Sequence, residues 1–177
     1  MKKILIAALL FFSAQTTFSQ TDPYIENVKH YLSINGTQQQ YEDAIDAMFV
    51  MLKKQFKDYK ISENVWKELE NTKKEQVESV KAILVSAYKA YFTLNDIKKM
   101  TVFYESAAAK QMLADASKLT TTQRQQIGNF YDSETGQKMI ASKDGLAKIE
   151  GEISMQWSGD LYKSIINKLA EKGYSLN

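Results

Sequence analysis

Phe92-Thr93-Leu94-Asn95-Asp96-Ile97-Lys98-Lys99-Met100-Thr101-Val102-Phe103-Tyr104-Glu105-Ser106 returns 27 residues later as Leu119-Thr120-Thr121-Thr122-Gln123-Arg124-Gln125-Gln126-Ile127-Gly128-Asn129-Phe130-Tyr131-Asp132-Ser133. Both copies are written in the grammar of helix ends. A threonine stands where an N-cap oxygen is wanted, and Asp96 or Gln123 follows three residues on to complete a capping box. Met100 or Ile127, with the Phe-Tyr pair, supplies the apolar end of that helix. Ser106 or Ser133 is then placed to cap the next one. The offset continues through Met112 and Met139, Leu113 and Ile140, and Ala114 and Ala141. The stretch therefore predicts helix–turn–helix units at 92–118 and 119–145. A solenoid needs about three repeats or more, so two copies predict a pseudo-symmetric pair of helical hairpins inside one bundle.

The flanks follow the same periodicity. Pro23 is the only proline and precedes the first periodic segment, glycines number seven, and long segments repeat apolar residues at three and four. The fold class is all-α, a single-domain helical bundle. The first helix is expected over 22–34 with Tyr24, Ile25, Val28 and Leu32 inward, stopped by Asn35-Gly36. Thr37 and Gln40 form a second capping-box pattern, ahead of a stripe of Tyr41, Ala44, Met48, Met51, Leu52 and Phe56. Ser62 is expected to cap a long third segment reaching Tyr91, with Asn71-Thr72-Lys73-Lys74 as a bend. Its stripe is Trp66, Leu69, Val77, Val80, Leu84, Ala87, Tyr88 and Tyr91. The last helix is expected over 143–172, lined by Leu146, Ile149, Ile153, Trp157, Leu161, Ile165 and Leu169, with Gly173 at its C′ position. Gly151 and Gly159 each weaken it by about 1 kcal/mol relative to alanine.

The N-terminus carries a different message. Lys2 and Lys3 precede an unbroken apolar run from Ile4 to Phe12, then the small and polar stretch Ser13 to Gln20. That is the layout of a secretory signal peptide, and nine apolar residues fall well short of the roughly 20 that span a bilayer. Residues 1–19 are expected to be removed, with cleavage after Ser19 preferred and after Ala14 the alternative. The absence of cysteine excludes a lipid anchor on that residue and a disulfide framework. The expected product is a soluble exported protein over residues 20–177, periplasmic or secreted. Its charge balance changes with the leader. The whole chain holds 23 basic and 21 acidic residues, and loss of Lys2 and Lys3 leaves 21 against 21. No long-range field for nucleic acid survives, while a near-neutral surface eases docking or formation of a homo-oligomer. A domain of that length buries about 68–70% of its unfolded surface.

Phe130-Tyr131-Asp132-Ser133-Glu134-Thr135-Gly136-Gln137-Lys138 resembles the hallmark of an exported bacterial family known only as a domain of unknown function. The family pattern is roughly Phe-Tyr-x-Ser-Pro-x-Gly-x-Lys after a Phe-Thr-x-x-(Glu/Asp)-Leu helix start. Phe92-Thr93 through Phe103-Tyr104-Glu105-Ser106 is similar to that start and to the following Phe-Tyr-x-Ser. Trp157 in the last helix fits as well, and the likeness covers about residues 88–169. Ala107 and Glu134 replace the usual proline, and Ala109 replaces the glycine in the first copy. The resemblance implies an all-helical fold and export, and brings no activity with it. Phe103, Tyr104, Ser106, Phe130, Tyr131, Ser133 and Gly136 are its structural motif residues.

Residue types bound the chemistry. His30 is the only histidine, so triads and multi-histidine metal sites are closed to this chain; it reads as a last-turn residue near helix carbonyls. Glu42, Asp43 and Asp46 lie within one turn, yet near a helix start where acids are favoured electrostatically. Glu105 and Asp132 occupy equivalent repeat positions and read as turn or cap residues beside the serines. Lys53, Lys54, Lys57 and Lys60 make a solvated basic helix end. Seven methionines and ten tyrosines read as core first and as a pliable pocket second. Phosphate loops, nucleophile elbows and zinc spacings are missing. No catalytic residue, cofactor or metal is expected, and the protein is not read as an enzyme. The expectation is a periplasmic interaction module docking an envelope protein on the repeat hairpins, with a carrier of a lipid or other apolar molecule in the helical core as the alternative.

Overall fold

Asp22 opens the first helix of the described residues, α1 (Pro23–Ile34), by accepting the Tyr24 N–H at 2.9 Å. Proline at the first helical position lacks the N–H that would otherwise be orphaned. The computed structural model describes residues 22–175, so the leader expected over 1–19 lies outside the described residues. At the far end of α1 the Asn35 amide closes on the Tyr31 carbonyl, and Gly36 turns the chain with φ at +96°.

That glycine overturns one expectation. In α2 (Thr37–Gln55) the N-cap is Gly36, not Thr37, and no side chain caps it. The Asn35 carboxamide oxygen accepts the Thr37 N–H at 3.0 Å. The left-handed turn moves the helix start one residue early, so Thr37 is already helical and no capping box forms with Gln40. Ser62 does stand at an N-cap, before α3 (Glu63–Glu70), but its hydroxyl makes no capping bond. The long third segment is two helices, α3 and α4 (Lys73–Lys89). Thr72 breaks the ladder by folding its own hydroxyl onto the Leu69 carbonyl at 2.7 Å.

Four further α-helices follow among the described residues: α5 (Leu94–Glu105), α6 (Ala107–Asp115), α7 (Thr121–Tyr131) and α8 (Glu134–Glu171). The last is 38 residues long and absorbs both the second repeat's closing helix and the helix expected from 143. Ala141-Ser142-Lys143-Asp144 contains no proline, and a single glycine beyond it costs only about 1 kcal/mol, so nothing local ends the first half. The helix finishes at Gly173, φ +89°, where Tyr174 N–H reaches Leu169 O and Gly173 N–H reaches Ala170 O, each at 2.9 Å. Those two bonds make a Schellman motif, with Tyr174 packed back against the core.

One continuous apolar cluster holds the bundle together. Helix α1 packs against α2, α4 and α5; α4 also meets α8; α7 bridges α6 and α8. Val28, Leu32, Leu52, Val80, Ile97 and Leu169 are wholly buried within this cluster. Along α2 the inward line is Tyr41, Ile45, Phe49 and Leu52, whereas Met51 is half exposed and Ala44 faces solvent. Among the described residues no strand occurs, and no helix is long and apolar enough to cross a membrane.

Candidate functional site

The motif residues meet where α5, α7 and the start of α8 converge. Ser133 caps α8: its oxygen accepts the Gly136 N–H at 3.2 Å and its hydroxyl donates to Phe130 O at 2.6 Å. Ser106 caps α6 through the Ala109 N–H at 3.2 Å. Thr93 with Asp96, and Thr120 with Gln123, close their capping boxes. Phe103 and Phe130 stack face to face with centroids 3.9 Å apart, and Tyr131 meets Phe103 edge-on at 5.8 Å. Tyr104 extends the cluster to Tyr31 at 5.5 Å, which meets Tyr88 at 5.6 Å. The two copies then diverge, since α6 stops at Asp115 while α8 runs on. Ser133→Ala is expected to cost about 1 kcal/mol, the usual worth of an N-cap. Thr37→Ala should be near neutral. Paired thermal melts check the difference.

Lys138, the lysine of the motif, has a partner far away in sequence. Its ammonium lies 2.6 Å from Asp96 Oδ2, so the start of α8 is tied to the start of α5. The same carboxylate accepts the Thr93 amide at 2.8 Å and the Thr93 hydroxyl at 2.7 Å, and the buried Thr135 hydroxyl lies 3.5 Å from its other oxygen. Burial pushes this carboxyl up, but the Lys138 ammonium and the Thr93 donors together outweigh it and hold it at about 2, below its ordinary 3.8. A depressed carboxylate contributes stability that is complete above its unfolded pKa and is lost as pH falls through the folded one. A loss of about 2 kcal/mol is therefore expected between roughly pH 4 and pH 2. Urea midpoints across that range should show a step that Asp96→Asn removes.

The remaining acids and bases are placed singly. Glu105 is exposed and meets His30 Nε2 at 2.8 Å, so the histidine faces α5 and not the carbonyls of its own helix end. Asp132 is the exposed C-cap residue of α7. Asp46 holds Lys73 at 2.7 Å, Glu42 accepts from Gln38, and Asp43 accepts from Gln39. Lys53 pairs with Glu70 at 2.9 Å and lies over the Trp66 ring. A charge-based reading missed Lys81, which is 2% exposed. Its three donors go to Glu78, Ser33 and Gln38 at 2.6–3.0 Å.

Two of the surface concavities are distinguished by their linings. The first is a notch of about 320 Å³ lined by Lys98, Lys99, Val102, Phe130 and Ser133. Its walls are almost wholly apolar, and Val102 is 69% exposed. The second is a groove of about 430 Å³ between α2 and α8, where Tyr41, Glu150, Gly151, Ser154, Met155 and Trp157 line the walls and Leu84 the floor. Tyr41 and Trp157 meet edge-to-face at 5.0 Å. Trp157 Nε1 is the one buried side-chain polar atom without a partner among the described residues. Burial raises the Glu150 carboxyl above its ordinary value, and the Tyr88 hydroxyl beside it draws it partly back. Burial likewise lifts Tyr31 to about 12 and drives Tyr88 and Tyr104 up, so these phenols stay neutral at physiological pH.

An α-helical bundle with a capped aromatic corner is the class these features define. Residues 78–121 match a family described as an uncharacterized protein conserved in bacteria (DUF2059). The matched stretch runs from within α4 through the first repeat copy, and ends before Phe130 and Ser133. No curated protein and no solved structure matches the chain.

Proposed function

We propose that this chain is an exported, non-catalytic binding module whose paired hairpins dock an envelope protein at the corner between α5 and α7. The notch carries the reading. An exposed Val102 and the half-buried Phe130 ring offer apolar surface, while Lys98 and Lys99 stand exposed beside it with no acidic partner among the described residues. A partner segment with an apolar side chain next to a carboxylate complements that pattern, the apolar contact giving affinity and the charges giving orientation. Export rests on the leader pattern, and the periplasm is the compartment it favours.

A photo-crosslinker at position 102 in cells should trap one envelope protein, and Lys98→Glu with Lys99→Glu should abolish the adduct without lowering the melting temperature. No adduct, or one indifferent to charge reversal, would overturn docking at this corner. N-terminal sequencing of the accumulated protein should begin at Gln20; an intact Met1 on cytosolic material would defeat the export reading.

A second reading, carriage of an apolar small molecule, is favoured by the α2–α8 groove, whose volume lies in the range of roughly 300–1,000 Å³ used by drug-sized ligands. Native mass spectrometry of protein purified from the envelope checks it.

A further inference from the structure

Hydrogen-bond accounting along the α2–α8 groove shows which chemistry it is short of. The Ser154 hydroxyl donates to Glu150 O at 2.7 Å, so in its 2.6 Å contact with Tyr41 it must accept, and the phenol donates. The Ser158 hydroxyl is spent on Met155 O at 3.1 Å. Three hydroxyl donors are thus used inside the protein, whereas the Trp157 Nε1–H on the same wall has no acceptor, and Thr37 and Gln40 line the groove as well. Glu150 adds a carboxyl that pairs with no basic side chain among the described residues, and no lysine, arginine or histidine lines the groove. The wall mixes donors and acceptors and carries one half-buried acid, with the Tyr88 hydroxyl beside it and no basic counter-charge.

We propose that this groove binds a small organic ammonium, its cationic head on the Glu150 carboxyl and its apolar body against Met155 and the Tyr41–Trp157 pair. The inference rests on the second reading above and names its ligand class. An ammonium brings the positive charge that no side chain of the groove supplies, with three donors for the Glu150 carboxyl and the hydroxyl oxygens beside it. Tyr41 and Trp157 line the same wall, and aromatic rings attract a cation within about 6 Å of the ring centre. A neutral apolar ligand would strip water from the Glu150 carboxyl and leave it the Tyr88 hydroxyl alone, at a cost in binding. A hard metal ion asks for about six or more oxygen ligands, typically with several carboxylates, and this groove holds one carboxylate on a largely apolar wall.

The test is calorimetric titration of the purified protein at neutral pH with 2-phenylethylamine and with 2-phenylethanol, its uncharged counterpart. The amine should bind at least about tenfold more tightly than the alcohol, and Glu150→Gln should erase that preference. Gly151→Leu supplies a variant that keeps the fold, because a Cβ there meets nothing within 4 Å and leucine is a better helix former than glycine. Its side chain should plug the groove and remove binding of both probes, with helicity by circular dichroism unchanged. Equal binding of amine and alcohol, indifferent to Glu150→Gln, would overturn the ammonium assignment and leave the apolar-carrier reading standing. Binding that survives Gly151→Leu would place the probe elsewhere and overturn the site. Failure of both probes to bind the unaltered protein would defeat both readings.

Discussion

Gly136→Ala is expected to destabilise the fold by about 3 kcal/mol, the upper end for an overpacked site, and to lower the melting temperature by about 6–12 °C. A methyl group at 136 would collide with the Phe130 carbonyl oxygen and would lie 2.5 Å from Tyr131 Cα and 2.8 Å from its carbonyl carbon. All three are backbone atoms of α7 and its end, so no rotamer change relieves the contact; the corner itself must open. Gly145→Ala is the control. The atoms its added carbon would meet first belong to the ring end of Tyr91, the far end of a side chain and not backbone, so the penalty should be smaller and partly offset by the better helix propensity of alanine. Differential scanning calorimetry of both variants measures the contrast. Equal melting temperatures would show that the close approach of α8 to α7 is not what the glycine serves.

Tyr31→Ala should cost more, about 4 kcal/mol, in line with removal of a buried aromatic ring. Tyr31 is 3% exposed and edges onto both Tyr88 of α4 and Tyr104 of α5. Its loss removes two aromatic pairs, each worth about 0.5–1.5 kcal/mol beyond the area they bury, and leaves a cavity at the junction of three helices. Because total stabilities run near 5–15 kcal/mol, the variant should sit close to its unfolding transition at growth temperature. Tyr31→Phe keeps the ring and removes only a hydroxyl that faces Asn35 and Tyr104, so it should lose at most about 1 kcal/mol, the net worth of a typical hydrogen bond. Urea titrations separate the two; comparable losses would mean that the hydroxyl, and not the ring, anchors α1.

Helix ends were the most readable part of this sequence because their chemistry spans three or four residues. Thr93 with Asp96, Thr120 with Gln123, Ser106, Ser133 and Gly173 all take cap positions, and the all-α class follows from them and from the periodicity. Thr37 misled because its pattern with Gln40 is equally good; the left-handed Gly36 beside it starts the helix a residue sooner. The α2 stripe was ambiguous for another reason. Apolar residues fill Ala44-Ile45 and Ala47 through Leu52 so densely that two neighbouring faces look alike, and contact with α1 and α4 chooses Ile45 and Phe49 over Met51. Lys138 with Asp96 is 42 residues apart, and Lys81 is buried by groups from two other segments. Such pairings leave no local trace. The same holds for the notch and the groove, whose walls come from separate helices, so of the candidate site the aromatic, serine and glycine residues of the corner were nameable in advance.

Helix α8 gives these two regions a mechanical relation. Ser133, Gly136 and Lys138 anchor one end, and Glu150 through Ser158 form a wall of the groove further along the same unbroken rod. At 1.5 Å per residue, Gly136 and Trp157 stand roughly 30 Å apart along its axis. A stiff lever of that span turns a few degrees of tilt at the corner into more than an ångström of travel beside Trp157. A tilt imposed at the aromatic end would therefore be read as a change in the width of the gap at the other, to the extent that the packing of α8 on α4 yields.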